Sequence, residues 1–94
     1  MDPNLVFFFG GRCPFTERVG PEVVCLQRIL GRKITRLEVW EDEKNQAQYE
    51  ASGGASCGGV PYFYNSTTGK SVCGAAPCAH LVKWAKGEPL GDQL

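Results

Sequence analysis

A short apolar run, Leu5-Val6-Phe7-Phe8-Phe9, breaks at Gly10-Gly11 and turns through Arg12-Cys13-Pro14 into a helical pattern. No other feature constrains the fold as much. The run is brief, aromatic and closed by glycines, which predicts a buried strand. Pro14 lacks a backbone N–H and has a preset φ, so it suits the first helical position. Cys13 then falls at or beside the helix N-cap, where several amides have no partner within the helix. Negative charge is favoured there, by the helix dipole and by Arg12 if its side chain turns inward. A thiolate, not a thiol, is the nucleophilic form of cysteine, so a reactive sulfur is expected at Cys13. The plain alternative is an inert, buried cysteine that happens to precede a proline.

Helical spacing continues from Phe15 to Leu30, with Val19, Val23, Leu26, Ile29 and Leu30 expected on one apolar face. Pro21 should bend this helix and Gly31 should end it. Ile34 to Trp40 alternates as a second strand, and a helix is predicted from about Asp42 to Ala51 behind an acidic start. Gly53-Gly54-Ala55-Ser56-Cys57-Gly58-Gly59 reads as a flexible loop. Val60 to Asn65 forms a third strand, opened by Pro61. After the turn at Ser66-Thr67-Thr68-Gly69, Lys70 to Cys73 returns as a hairpin partner. Pro77 opens a last helix with Leu81, Val82 and Trp84 on its apolar side, ended at Gly87. The order is β-α-β-α-β-β-α: an α/β fold with a parallel crossover followed by a hairpin, giving a four-stranded mixed sheet flanked by helices.

Composition excludes several functional classes. At 94 residues the whole chain, 1–94, reads as one domain without repeats or linkers. Ten acidic residues balance ten basic ones, so the surplus positive charge of a nucleic-acid binder is missing. No apolar stretch approaches membrane-spanning length, and Met1-Asp2-Pro3-Asn4 has no positive leader region. The five cysteines, Cys13, Cys25, Cys57, Cys73 and Cys78, are odd in number and include no Cys-x-x-Cys pair. Cys73, Cys78 and His80 could supply only three zinc ligands, in a spacing that fits no usual site, so no metal is expected. Cys25 falls near the apolar side of the first helix and reads as a core residue. A reducing compartment, cytoplasmic or organellar, follows from this cysteine usage.

The element order, together with three local motifs, resembles the thioredoxin fold over nearly the whole chain. Cys13-Pro14-Phe15-Thr16 is similar to the active-site motif of glutaredoxins, with Thr16 where a dithiol enzyme has its second cysteine. Pro21 matches the kinking proline of the active-site helix. Gly59-Val60-Pro61 resembles the segment that carries a cis-proline opposite the nucleophile.

The resemblance implies a monothiol thiol–disulfide oxidoreductase in which Cys13 attacks a disulfide sulfur to form a mixed disulfide. It places substrate against Pro14, Phe15, the Val60–Pro61 backbone, Gly74 and Ala75, with the substrate pairing like an added strand. Thr16 would hydrogen-bond the Cys13 sulfur or cap the first turn. Glutathione as co-substrate, or Cys57 from within the chain, would resolve the intermediate. Protein disulfides are the other expected partners, and the chain is expected to act as a monomer away from membranes and nucleic acid. Three departures stand out. Gly10 occupies a position often basic in glutaredoxins, Cys73-Gly74 replaces their glycine pair, and Phe7 stands where thioredoxins bury an acid. Two other readings of the same motifs are a glutathione-dependent iron–sulfur cluster carrier and a catalytically degenerate interaction module.

Overall fold

The apolar run does form a strand, and its position in the sheet explains its composition. The structure is a computed structural model that describes residues 1–89. Strand β1 spans Asp2–Phe9, with Leu5, Val6, Phe7 and Phe8 all buried. It is a central strand in the order β2-β1-β3-β4. A strand covered on both faces has no polar side, hence the unbroken apolar run. It begins earlier than the apolar run indicates, because Asp2 pairs with Ile34 beyond a register shift.

Alternation along β1 divides the interior into two clusters. Leu5 and Phe7 point to one face, where Val19, Val23 and Leu26 of helix α1 (Pro14–Leu30) meet Leu81 and Trp84 of helix α4 (Cys78–Lys86). Val6 and Phe8 point to the other, with Val39 and Tyr62. This second face is thinly covered, because helix α2 (Glu43–Ala51) buries none of its residues fully. Asp42 caps α2 by accepting a hydrogen bond from the Asn45 amide at 3.0 Å.

Strand β2 (Ile34–Glu38) runs parallel to β1 through the α1 crossover. Strand β3 (Tyr62–Asn65) runs antiparallel to β1, and β4 (Ser71–Cys73) is its hairpin partner. The fold is therefore thioredoxin-like, α/β with the expected order. Two details differ from expectation. The glycine-rich segment contains a single helical turn, α3 (Gly54–Cys57), where Gly54 is buried because the Tyr49 ring lies in the space a β-carbon would need. On α1, Ile29 is 56% exposed while Val19, Val23 and Leu26 are buried. At about 100° per residue, Ile29 lies roughly 80° around the helix from Val19, off the stripe that Val23, Leu26 and Leu30 share with it.

The ends of the helices are tied by both local and distant groups. The α1 terminus at Gly31 is left-handed (φ 72°), and its amide and that of Arg32 both donate to the Gln27 carbonyl. At the start of α4, Pro77 provides no side-chain cap, and the Glu22 carboxylate on α1 accepts from the Cys78 amide at 3.2 Å. Buried Asn65 donates to the Trp84 and Ala85 carbonyls, satisfying the last turn of α4.

Four of the five cysteines are bonded, which the spacing did not indicate. Cys25 joins Cys78, and Cys57 joins Cys73. Cys25 is thus a cross-link between α1 and α4, not a core hydrophobe, and Cys73 and Cys78 belong to different bridges. Among the described residues no three metal-binding side chains converge. The Cys25–Cys78 bond closes 53 residues of sequence, and native bridges of this kind typically contribute about 2–4 kcal/mol by restricting the unfolded chain. Cys25→Ala with Cys78→Ala should therefore lower the melting temperature by roughly 10–25 °C in calorimetry. A change below a few degrees would show that the α1–α4 packing stands without the bond.

Candidate active site

Cys13 occupies the N-cap of α1 with extended backbone angles (φ −78°, ψ 122°), as the Cys-Pro junction implies. A turn closed by the Cys13 amide and the Gly10 carbonyl (3.2 Å) carries the chain from β1 into the helix. The sulfur does not cap the helix amides. Its thiol instead donates to the Val60 carbonyl at 3.8 Å, and the Val60–Pro61 peptide bond is cis. Two segments 47 residues apart thus meet at the sulfur. Cys13 is 6% exposed and is the only unbonded cysteine.

The other expected residues take up distinct places around this contact. Gly74, at φ 91°, donates its amide to the Pro61 carbonyl at 2.8 Å, so the turn after β4 lies against the proline loop. Ala75 follows it, exposed. Pro14 is exposed, and Phe15 is 55% exposed with the Arg18 guanidinium 5.8 Å from its ring centroid. Arg12 is exposed and forms no ion pair; among the described residues only Asp2 and Arg32 do. The Thr16 hydroxyl is buried without a hydrogen-bond partner, so it neither caps the turn nor bonds the Cys13 sulfur. Cys57, held to Cys73, has no thiol in this state.

A cleft of about 230 Å³ opens beside the proline loop, between α2 and Gly58–Val60. Its walls include Trp40, Gln46, Tyr49 and Glu50. The Tyr49 hydroxyl donates to the Gly59 carbonyl at 2.7 Å, and burial raises its pKa, which keeps the donor proton in place. Trp40 is 54% exposed, and its indole covers Gly10 where a β-carbon would stand. Any larger residue at Gly10 would displace the ring. That packing requires glycine here.

Glu38 is the residue that sequence reasoning passed over. Its carboxylate accepts from the amides of Gly11 (3.0 Å), Trp40 (2.9 Å) and Glu41 (2.8 Å), joining the approach to Cys13 to the start of α2. Gly11 is 27 residues distant, and no local pattern pairs the two. These bonds, the Glu41 amide foremost, hold Glu38 below the ordinary glutamate value of 4.5 despite the nearby Asp42 charge. A carboxylate lowered in this way supports the fold above its unfolded pKa and loses that support as pH falls through the lowered value. On acidification below about pH 4.5, the Gly11, Trp40 and Glu41 amide resonances should therefore shift together in NMR. Independent titration of the three would show that Glu38 does not bind them as one unit.

A scan of protein-family models and a search of curated proteins both find no match to this chain. The fold is thioredoxin-like, and neither disulfide includes the Cys13 position. No helix among the described residues is long and apolar enough to cross a membrane.

Proposed function

We propose that this chain is a glutaredoxin-like thiol–disulfide oxidoreductase that works through Cys13. The observation that supports this most directly is the Cys13 sulfur at 3.8 Å from the carbonyl of Val60, at a cis Val60–Pro61 bond. A disulfide presented along Gly59–Val60 as an added strand would bring one of its sulfurs to the Cys13 thiolate. Attack by Cys13 forms the mixed disulfide and releases the other substrate sulfur as a thiol. Thr16 cannot complete the exchange, so glutathione or another external thiol resolves the intermediate. Gly74, whose amide donates to the Pro61 carbonyl, and Ala75 after it would carry part of the bound thiol.

Two disulfides favour an oxidising compartment, in place of the reducing one inferred from the cysteine count. In such a setting the chain would operate on disulfides that form and rearrange, with protein disulfides as partners alongside glutathione.

One observation favours the reading as a binding module without turnover: Cys13 is buried, and its sulfur is occupied by the Val60 carbonyl. One experiment separates the two. The protein is incubated with oxidised glutathione, quenched in acid and mapped by mass spectrometry. A glutathione adduct on Cys13, removed again by reduced glutathione, is the expected result. An unmodified Cys13 under conditions that modify a small-molecule thiol would reject the oxidoreductase reading in favour of the binding module.

A further inference from the structure

The second disulfide lies three residues along the chain from Val60, the residue that accepts the Cys13 thiol. Cys57 ends α3 and Val60, which receives the Cys13 thiol, follows three residues later; three residues span at most about 11 Å. Its partner Cys73 pairs with Tyr62 in the β3–β4 hairpin, directly after Pro61. Only Gly58 and Gly59 separate Cys57 from Val60, and a β-carbon at either would meet no atom within 4 Å. The side-chain space of this segment is therefore open, with a left-handed Gly58 (φ 77°) as its pivot. Its backbone is held by the Gly58 amide, which donates to the Gly54 carbonyl at 2.9 Å, and by Tyr49, which donates to the Gly59 carbonyl. The two bridges also differ in exposure. Cys73 is exposed and Cys57 half-buried against the cluster of Val6, Phe8, Val39 and Tyr62, whereas Cys25 and Cys78 are both half-buried between α1 and α4. Exposed disulfides are the ones open to exchange; enclosed ones are structural.

We propose that the Cys57–Cys73 bridge is a built-in electron acceptor for Cys13, which enables the chain to oxidise dithiol substrates. This rests on Cys13 being the exchanging thiol. The Cys13 thiolate attacks the Cys57 sulfur; a Cys13–Cys57 bond forms, the Cys57–Cys73 bond breaks, and Cys73 leaves with the electron pair and takes up the proton that Cys13 released. A substrate thiolate then attacks Cys13, displacing Cys57, which is protonated in turn. The second substrate thiolate displaces Cys13 and closes the substrate disulfide. In sum the substrate loses two electrons and two protons, Cys57 and Cys73 gain them, and Cys13 returns to its starting state. A disulfide of the surroundings, such as oxidised glutathione, restores the bridge. The Cys25–Cys78 bond takes no part.

The test uses the full oxidised chain and a peptide carrying two thiols. Samples are quenched in acid at intervals, alkylated and mapped. Cys57 and Cys73 should become alkylated together while Cys25–Cys78 stays closed, with a transient Cys13–Cys57 peptide. In Cys13→Ser the opening of the Cys57–Cys73 bridge should slow by at least about tenfold. Equal opening rates in the two proteins, or loss of Cys25–Cys78 at the same rate, would overturn the relay. The glutathione adduct on wild-type Cys13 is read separately. If it forms while the opening rates are equal, the relay fails and the exchange site stands; if it does not form, both readings fail.

Discussion

Cys13→Ser should lose thiol–disulfide exchange by more than about 10³-fold while keeping its fold. The hydroxyl of serine is scarcely ionised at neutral pH and cannot form a mixed disulfide, so only background exchange at other sites should persist. Stability should behave differently. Position 13 is an N-cap whose sulfur makes no capping hydrogen bond, with Pro14 immediately after it. Serine is among the preferred N-cap residues, and its oxygen can accept from the amides of the first turn, a change typically worth about 0.5–2 kcal/mol. The expected pattern is thus lost turnover in a glutathione-coupled assay with an unchanged or higher melting temperature. Full activity in the serine variant would remove Cys13 from the mechanism. Loss of both activity and fold would show instead that the Cys13 sulfur is a packing element.

The second large effect is expected at Trp84. Its side chain is fully buried, its ring meets Phe63 edge-on at 5.5 Å, and its indole N–H donates to the Lys70 carbonyl at 3.1 Å. Trp84→Ala removes the largest side chain of the core shared by α1, α4 and the sheet, and leaves the Lys70 carbonyl without that donor. Truncations of this type cost about 3–5 kcal/mol. Domains of this size have only about 5–15 kcal/mol in total, so the variant should be close to unfolding at 37 °C. Urea denaturation followed by tryptophan fluorescence from Trp40 would measure it. A loss under about 1 kcal/mol would mean that α4 can repack around the space. Trp84→Phe should retain more than half of the stability lost to alanine, since it keeps the aromatic contact with Phe63 and gives up the hydrogen bond.

Much of the fold was legible because its signals are local. A glycine-closed aromatic run, a proline at a first helical turn and glycine at helix ends each act within a few residues, and each was found where expected. Strand and helix order followed, and with them the sheet. The meeting of Cys13 with Val60–Pro61 was legible only through resemblance, since nothing within either segment specifies the other. Three features escaped. Ile29 reads as part of the apolar face with Val19, Val23, Leu26 and Leu30, although the helical angle turns it outward. Glu38 read as an ordinary strand residue, because the amides that it binds belong to Gly11 on one side and the start of α2 on the other. Cys25 read as a core hydrophobe, because a disulfide depends on two β-carbons approaching closely, which spacing along the chain does not express.

What the chain alone determined is the set of elements and the position of one sulfur at a strand-to-helix turn, for these follow from backbone stereochemistry and the period of apolar residues. Only the tertiary structure decided the partners: the Val60 carbonyl rather than the helix amides for that sulfur, and Cys73 as the bonded partner of Cys57. The reason is one of range. Propensity acts between neighbours, whereas hydrogen-bond and cysteine partners are selected among all groups that packing two apolar clusters on one sheet brings together.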